Sequence, residues 1–320
     1  MRKNTGLLFD DIFFDHLLSA YHVESPLRLE AVMNRIVSTG LKSKLKLIRP
    51  IDNREEIEQA ILAVHSKIHL QSVVRWETKA LPALRAVGAV LRGVDAVLKG
   101  EVENVFCAVR PPGHHAQNNG AHCDGRYQGE GFCFFNNVAI GARYAQHHYG
   151  VKRVLIVDWD YHHGNGIEWA FYNDPSVFYC STHALFDYPT TGHPDKTGRG
   201  KGKGYNLNIP LPAYAGDSDI IGAFKDLLIP RLKAVGFVPD LVMVSAGFDS
   251  REKDLIGMFN ITDKGFLELT KIVKGIAHTH CGGRLVSVLE GGYNPQGLSQ
   301  AVAVHIRGLV NGNHVSRKLC

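Results

Sequence analysis

Short apolar runs rich in β-branched residues alternate with longer segments of helical periodicity from about residue 100 to the end of the chain. The apolar runs predict strands at residues 105–109, 154–158, 177–180, 241–245 and 285–289. The segments between them predict helices at 137–148, 220–235 and 262–278, the last with Thr262 as its N-cap. Such alternation is typical of parallel βαβ units, so the sequence predicts an α/β fold built on a mostly parallel sheet.

Residues 25–100 carry few strand signals and are expected to be mostly helical, with helices at 25–37, 54–65 and 81–98. No linker or internal repeat interrupts the chain, so we expect residues 1–320 to form a single domain. The one biased segment, GRGKGKG at 198–204, predicts a mobile surface loop because its glycines leave the backbone free.

Composition argues against several classes of protein. A hydrophobic content of 45% over 320 residues is typical of a globular fold with a sizeable core. The net charge of +5 is only mildly basic, so we expect no direct nucleic-acid binding. Six cysteines without a CxxC pair argue against a disulfide framework. The chain contains no run of about 18 apolar residues, the length that a membrane-spanning helix needs. We therefore expect a soluble, cytoplasmic protein with no membrane partner.

Polar residues follow four of the predicted strands at their carboxyl ends. His114 and His115 follow the first strand in RPPGHHA, and Asp249 and Tyr293 follow the last two in AGFDS and EGGYNP. The strand that begins at Val154 runs directly into DWDYHHGNG. Because ligands bind outside the carboxyl ends of the strands in open α/β sheets, we expect these four loops to meet at one pocket.

The stretch DWDYHHGNG carries candidate metal ligands at alternate positions. Side chains alternate along a strand, so Asp158, Asp160 and His162 would share one face and the residues between them the other. Two of these three could bind one ion, with Asp249 from another strand end as the third ligand. Three protein ligands leave an open position, as in catalytic zinc sites, and the oxygen-rich set would also accept Fe2+ or Co2+.

Each of these features alone has a common alternative explanation. A His-His pair often lies at the surface or in the core, and an Asp after a strand often caps a helix. Gly164 and Gly166 suggest a phosphate loop, but neither a GxGxxG nor a GK[ST] pattern follows. The residue pattern by itself therefore leaves both a metalloenzyme and coincidence open.

Five longer motifs resemble those of the histone deacetylase family in order and approximate spacing: RPPGHHA, GFCFFNNVAIGARYA, VLIVDWDYHHGNG, SAGFDS and LEGGYN. The chain is most similar to class II and bacterial deacetylase-like amidohydrolases, a group that includes acetylpolyamine amidohydrolases, and the match runs from about residue 21 to about residue 308. The resemblance implies a single-domain arginase/deacetylase-like fold, with a central mostly parallel sheet flanked by helices and the site at the carboxyl ends of the strands. It also implies a zinc-dependent hydrolase that removes acetyl or other acyl groups from amines.

The resemblance implies that Asp160, His162 and Asp249 hold the zinc ion, which agrees with the strand argument. By the same match the family's structural potassium ion would lie beside it, with the ligands Asp158, Asp160, His162, Ser181 and Thr182.

Five residues are assigned to catalysis by the match. His114 and His115 correspond to the family's tandem histidines, supported by Asp158 and by Asn165, where other branches carry a second Asp. His115 can accept a proton from water and return one to the leaving amine, and His114 is the alternative for this transfer. Tyr293 is expected to face the metal and to donate a hydrogen bond to the developing oxyanion.

The resemblance also bears on the substrate. Gly131, Phe132 and Tyr188 match residues that line a narrow channel, whose aromatic faces would clasp the methylenes of an acyl-lysine; without the resemblance, the two aromatics would be interpreted as core residues. Ile256 stands seven residues after Asp249, where polyamine-preferring eukaryotic relatives carry a glutamate that reads a distant ammonium. An apolar residue there favours an acyl-lysine peptide or protein over an acetylpolyamine.

The chain departs from the family pattern at two places. Residues 117–130 (QNNGAHCDGRYQGE) resemble an insertion at the pocket rim, which favours a specificity loop or a contact in a homo-oligomer. A second ion held by His122, Cys123 and Asp124 is the less favoured alternative. The family's GDPLG is KDLIG at 253–257, which affects the expected loop geometry but not Asp249.

Three functions follow from these observations. A lysine deacetylase or deacylase is favoured because the ligand and catalytic set is complete. An acetylpolyamine amidohydrolase would use the same chemistry. A catalytically silent module that binds acyl-lysine is disfavoured, because such a relative would be expected to have lost a metal ligand or Tyr293.

Overall fold

An eight-stranded sheet forms the centre of the protein, whose computed structural model describes residues 4–119, 122–123, 126–127 and 130–311. The sheet order is β2-β1-β3-β10-β9-β6-β7-β8, and all neighbouring pairs are parallel. β4 and β5 form a separate antiparallel pair. The strands are β1 (Thr5–Leu8), β2 (Leu45–Ile48), β3 (Asn104–Cys107), β4 (His122–Cys123), β5 (Arg126–Tyr127), β6 (Val154–Asp158), β7 (Val177–Ala184), β8 (Asn206–Leu211), β9 (Leu241–Ala246) and β10 (Leu285–Leu289).

Helices cover both faces of this sheet. Val105 and Cys107 of β3 lie against Gly93 of α4, whereas Phe106 between them contacts His305 of α10. Because both faces are covered, the central strands are wholly buried and consist of continuous apolar runs. The helices are α1 (Leu27–Ser38), α2 (Arg54–Leu62), α3 (Lys67–Val74), α4 (Glu77–Leu98), α5 (Asn137–Tyr149), α6 (Asn165–Phe171), α7 (Asp217–Gly222), α8 (Ile229–Ala234), α9 (Asp263–Cys281) and α10 (Pro295–Val310).

The predicted α/β fold class and all five predicted strands are confirmed. β6 and β10 have the predicted bounds, β9 is one residue longer, and β7 continues to Ala184. The prediction of 105–109 was wrong at its end, because β3 stops at Cys107. Pro111 and Pro112 follow closely, and neither has the N–H group that a central strand needs.

Three strands of the sheet carry weaker sequence signals and were not predicted. β1 and β2 have only four residues each, and β2 lies at one edge, where Leu47 is exposed. β8 lies at the other edge, and Asn206 and Asn208 interrupt its apolar residues. Residues 25–100 are mostly helical as expected, and β2 is the strand within them that the sequence did not predict.

The predicted helices are present with shifted ends. Thr262 caps α9 as predicted, since its hydroxyl accepts the N–H groups of Lys264 (3.1 Å) and Gly265 (3.4 Å). The predicted helix at 220–235 runs from Asp217 to Ala234 and includes a π-helical turn at Ala223–Leu228. The segment 198–204 contains a 3-10 turn, and its Gly202 is buried against residues 173–174.

None of the helices in the described ranges combines the length and the apolar character that crossing a lipid bilayer requires.

Candidate active site

The four strands with polar carboxyl ends are consecutive neighbours in the sheet, in the order β3, β10, β9 and β6. Their registers align the strand ends, since Ser245 of β9 lies opposite both Val288 of β10 and Asp158 of β6. The loops at 108–115, 290–294, 247–257 and 159–164 therefore leave the sheet side by side, as the sequence predicts.

Asp160, His162 and Asp249 form a buried cluster in which one ligand atom of each lies within 4.8 Å of the other two. Nδ1 of His162 lies 2.9 Å from Oδ2 of Asp249 and 3.2 Å from Oδ1 of Asp160. Backbone amides hold the carboxylates, since Tyr161 N donates to Asp249 (2.8 Å) and Gly291 N donates to Asp160 (2.9 Å). The structure thus brings together the three residues predicted as zinc ligands.

The charge of this cluster suits a divalent cation. Burial, together with the charge of Asp160, raises the pKa of the Asp249 carboxyl. A cation between two buried carboxylates offsets both their repulsion and their desolvation. Two carboxylates and one imidazole accept zinc, Fe2+ or Co2+ and leave coordination positions open for water or substrate. The residues present therefore fit the implied metal.

The residues between the candidate ligands point to the other side, as strand alternation predicts. Trp159 packs against His305, and the Tyr161 ring packs against Phe259. Nδ1 of His163 lies 2.7 Å from a threonine hydroxyl, away from the carboxylate pair.

His114 pairs with a carboxylate. Its Nδ1 lies 3.0 Å from Oδ2 of Asp158, and its Nε2 lies 3.7 Å from Oδ1 of Asp160. Burial favours the neutral ring, but the charges of Asp160 and Asp158 outweigh it and raise the pKa of His114 to about 10. His114 is therefore the charged member of the tandem pair.

His115 pairs with an amide instead. Its Nδ1 lies 2.7 Å from Oδ1 of Asn165, the first residue of α6. An amide oxygen only accepts hydrogen bonds, so Nδ1 carries the proton and Nε2 keeps its lone pair. Burial and the positive charges of His114 and His162 lower the pKa of His115 well below its usual value. The two adjacent histidines thus differ in charge, because the carboxylates of Asp160 and Asp158 outweigh burial at His114, whereas burial and two positive rings prevail at His115.

Tyr293 is buried and contributes to the same cavity as His115. The guanidinium of Arg28 lies 5.0 Å from the centre of the Tyr293 ring, and the Phe132 ring centre lies 5.8 Å away. Burial raises the pKa of the Tyr293 hydroxyl well above its usual value, so the phenol remains a hydrogen-bond donor at neutral pH.

The four predicted substrate-binding residues, Gly131, Phe132, Tyr188 and Ile256, line one cavity of about 550 Å³. The alternative that the two aromatics are core residues is wrong, because Tyr188 is 45% exposed and Phe132 is half-buried. Gly131 lies against the His115 ring, where a Cβ would overlap it. The remaining lining residues are Leu18, His22, Trp76, Lys79, His115, Phe134, His162, Asp187 and Tyr293.

The residues predicted to hold potassium also lie close together. Asp158 and Ser181 are partners in the register of β6 and β7, and Ser181 and Thr182 are buried. The backbone N–H of Asp160 donates to Asp158 (3.1 Å). Ligation of potassium by this group, which includes His162, stays a prediction.

Two carboxylates that support the site were not singled out from the sequence. Glu290 accepts the N–H groups of Gly113 (2.6 Å) and His114 (3.1 Å), which holds the tandem histidine loop. Asp254 accepts the N–H groups of Tyr293 (2.7 Å) and Ile256 (3.0 Å). Glu290 could have been found, because it directly follows the apolar run of β10, as Asp158 ends that of β6.

A buried ion cluster behind Tyr293 was also missed. Arg28 donates to the backbone oxygens of Gly292 and Glu290 and pairs with Glu24 at 3.0 Å. Glu24 also pairs with Arg110. Glu24 and Arg28 are four positions apart, but no local pattern indicates their other contacts, since Arg28 and Gly292 are 264 positions apart.

The ends of the predicted rim insertion are joined, since Gln117 N donates to Glu130 at 2.7 Å. Between them the structure describes the paired backbone of β4 and β5. Asp124 and the side chains of His122 and Cys123 lie outside the described residues. The alternative of a second ion at these three residues therefore stays a prediction.

Comparison with known proteins agrees with this geometry. The family model described as a histone deacetylase domain matches residues 77–309. A probable deacetylase of Archaeoglobus fulgidus is 35% identical over 310 residues, which cover 92% of this chain and 82% of that protein. The polyamine deacetylase HDAC10 of Homo sapiens is 37% identical over 333 residues, which cover 96% of this chain and 46% of that protein. The chain thus spans less than half the length of the human relative.

A solved structure supports the same relationship. The crystal structure of the HDA15 HD domain superposes with a TM-score of 0.86 at 32% sequence identity, covering 97% of this chain and 89% of that one. Both the fold and the sequence therefore match over nearly the full length. The chain belongs to the histone deacetylase family of amide hydrolases.

Proposed function

We propose that the protein is a zinc-dependent deacylase that hydrolyses the amide bond between an acetyl or other acyl group and the side-chain amine of lysine in peptides or proteins. The observation that carries the proposal is the meeting of the Asp160, His162 and Asp249 cluster with His115 and Tyr293 at one cavity. Residues 1–320 would form one catalytic domain.

Zinc bound by Asp160, His162 and Asp249 would supply a Lewis acid that polarises the amide carbonyl and makes water more acidic. The chain itself supplies the proton transfer. Nε2 of His115 can accept a proton from the attacking water and return it to the leaving nitrogen. Asn165 favours this role because it keeps the other ring nitrogen protonated and the ring correctly oriented.

His114 and Tyr293 would stabilise the negative charge that develops on the substrate. The carboxylates of Asp160 and Asp158 raise the pKa of His114, which suits His114 to support the site electrostatically and leaves the proton transfer to its neighbour. The Tyr293 hydroxyl donates to the oxygen that becomes negative as water attacks. Such a donor typically contributes on the order of 3 kcal/mol to the transition state.

The cavity favours an acyl-lysine over a polyamine. Phe132 and Tyr188 offer aromatic surface to an alkyl chain, and Ile256 offers no charge to a distant ammonium. Asp187 also lines the cavity, but its carboxylate already accepts from the Tyr161 hydroxyl (2.9 Å) and the Tyr188 N–H (2.7 Å). Asp187 is the one carboxylate among the described lining residues, and these two donors leave it fewer free lone pairs for the far ammonium of a polyamine.

An acetylpolyamine amidohydrolase is the second candidate. It is favoured by the similarity to the human protein named polyamine deacetylase HDAC10. No observation favours a catalytically silent binding module. A structural potassium ion beside the zinc, held near Asp158 and Ser181, completes the proposal.

The substrate class is tested by measuring kcat/KM on zinc-loaded protein for an acetyl-lysine peptide, a longer acyl-lysine peptide and acetylspermidine. We expect the better of the two peptides to exceed acetylspermidine by at least about tenfold, a difference of about 1.4 kcal/mol in transition-state binding. Faster hydrolysis of acetylspermidine would replace the proposal with the second candidate. Tight peptide binding without turnover of any substrate would contradict both.

A further inference from the structure

The cavity extends beyond the channel residues into a side space, which we call the annex and define by Leu18, His22, Trp76, Lys79 and Phe134. Aromatic contacts connect the two parts of the cavity. The ring of Phe132 packs edge-on against His22 at 4.5 Å and against Tyr293 at 5.8 Å. A substrate held in the channel would therefore have the annex directly beside it.

Lys79 brings a positive charge into the annex. Its ammonium lies 4.3 Å from the centre of the Trp76 ring, and Trp76 in turn packs against Phe134 at 6.2 Å. Among the side chains that the structure describes, which do not include that of Glu77, no carboxylate forms an ion pair with Lys79, whereas Arg28, Arg85 and Arg110 each pair with a carboxylate. The neighbouring His16 adds no second positive charge at neutral pH, since burial lowers its pKa to about 4.

We propose that Lys79 and Trp76 form a subsite that binds a carboxylate carried by the acyl-lysine substrate. The inference rests on the proposed function and adds a charge preference to it. An ammonium donates strong, charge-assisted hydrogen bonds to a carboxylate, and the indole ring offers apolar surface to the carbon chain that bears it. The same charge repels the free ammonium groups of a polyamine, which gives specificity by disfavouring the wrong substrate.

Two parts of a peptide could supply this carboxylate. One is an acidic side chain next to the acyl-lysine, and the other is the free carboxyl terminus of a peptide that ends at the acyl-lysine. Peptides that differ only in these features distinguish the two sources.

The experiment compares three acetyl-lysine peptides on full-length, zinc-loaded protein: a neutral peptide with an amidated end, the same peptide with Asp beside the acetyl-lysine, and a peptide with a free carboxylate at the acetyl-lysine. The quantity measured is the ratio of kcat/KM between each acidic peptide and the neutral one. For the wild type we expect a ratio of about five or more for at least one acidic peptide, because the Lys79 ammonium and the peptide carboxylate would form a half-buried ion pair.

Variants of Lys79 test whether the preference for acidic peptides arises in the annex. Lys79→Glu should reduce the ratio to one or below, Lys79→Met should bring it near one, and Lys79→Arg should retain much of it. Lys42→Glu is the matched control. Lys42 is exposed and lies just before β2, at the amino ends of the parallel strands, whereas the site lies at their carboxyl ends. It changes the net charge equally and should leave the ratio at the wild-type value.

The ratio is taken within each variant, so a general loss of activity does not imitate a change in preference. Should Lys79→Glu fail to fold, the Met and Arg variants give the same comparison. Hydrolysis of the neutral peptide with equal ratios in the wild type and the Lys79 variants would overturn the subsite alone. Absence of hydrolysis of every acetyl-lysine peptide by the wild type would instead overturn the proposed function.

Discussion

At the scale of single residues, Asp254 connects two loops that shape the cavity. One of its oxygens accepts the N–H groups of Ile256 (3.0 Å) and Gly257 (3.3 Å), and the other accepts those of Tyr293 (2.7 Å) and Asn294 (3.2 Å). A carboxylate has enough acceptor sites for four donors, whereas an amide has an oxygen on one side only. The position of Tyr293 therefore depends on the charge and symmetry of this side chain.

We predict that Asp254→Asn lowers kcat about tenfold or more and changes KM less, because the hydroxyl of Tyr293 would no longer face the reacting carbonyl correctly. Leaving buried N–H groups unsatisfied should also lower the free energy of unfolding by about 1–3 kcal/mol. Steady-state kinetics and urea unfolding test both effects. Asp226→Asn, at an exposed position of the π-helical turn, is the matched control. Wild-type kcat in the Asp254 variant would contradict the positioning role.

The main residues of the site could be placed from the sequence because each follows an apolar run that is recognisable as a strand. Asp160, His162 and Asp249 meet in the structure for this reason, while their role as metal ligands stays a prediction. Arg28 and Glu24 could not be placed, since their partners come from distant segments of the chain. Asp254 lay within a recognised motif, but its four backbone donors belong to two separate loops.

At the scale of elements, the central strands were predictable and the edge strands were not. β6, β9 and β10 are covered on both faces, so burial imposes long apolar runs on them. β2 and β8 each pair with one strand only. Solvent reaches part of β2, which allows Lys46 within it, whereas Asn208 of β8 is buried and its amide donates to Glu168 (2.6 Å). Periodicity detects a strand only where packing demands it.

Helix bounds show the same dependence on context. The predicted helix at 81–98 begins earlier, at Glu77, although Pro82 lies inside it. Proline breaks a helical hydrogen bond and usually marks a start, so a sequence argument places the helix beginning too late. The first turn of α4, which the prediction omits, contains Lys79. Only the structure shows that Lys79 lines the cavity.

At the scale of the whole molecule, several buried histidines make stability depend on pH. His65, His183 and His305 each have a pKa near 3, and burial is the main cause in all three. Each is neutral and hydrogen-bonded inside the protein. Nε2 of His65, for example, accepts the N–H of Asn136 (2.9 Å), which a protonated ring could not do.

These values predict that the protein loses stability in mild acid. Below the usual histidine pKa of about 6.5 the unfolded chain binds more protons than the folded one, until the folded pKa near 3 is reached. Above pH 6.5 these histidines should therefore contribute a constant amount to the free energy of unfolding. Below it, each histidine should reduce that free energy by about 1.4 kcal/mol per pH unit.

Urea unfolding at intervals between pH 7.5 and pH 5, in conditions where unfolding is reversible, measures this slope. His305→Asn removes one of the groups and should make the slope shallower. The raised pKa values of Asp249 and Glu290 act in the opposite direction over this interval, so the comparison of the two proteins is decisive. Equal slopes in the wild type and His305→Asn would show that His305 is not held neutral by the fold.

The central claim is that Asp160, His162 and Asp249 hold a metal ion on which amide hydrolysis depends. The most direct test measures the metal content per chain and the hydrolysis of the preferred acyl-lysine peptide on the same samples. These samples are protein as purified, after removal of metal by a chelator, after addition of zinc, and as the Asp249→Asn variant. We predict about one ion per chain in active protein, parallel loss of metal and hydrolysis on chelation, recovery of both with zinc, and neither in the variant. Full hydrolysis by protein shown to be free of metal would contradict the account.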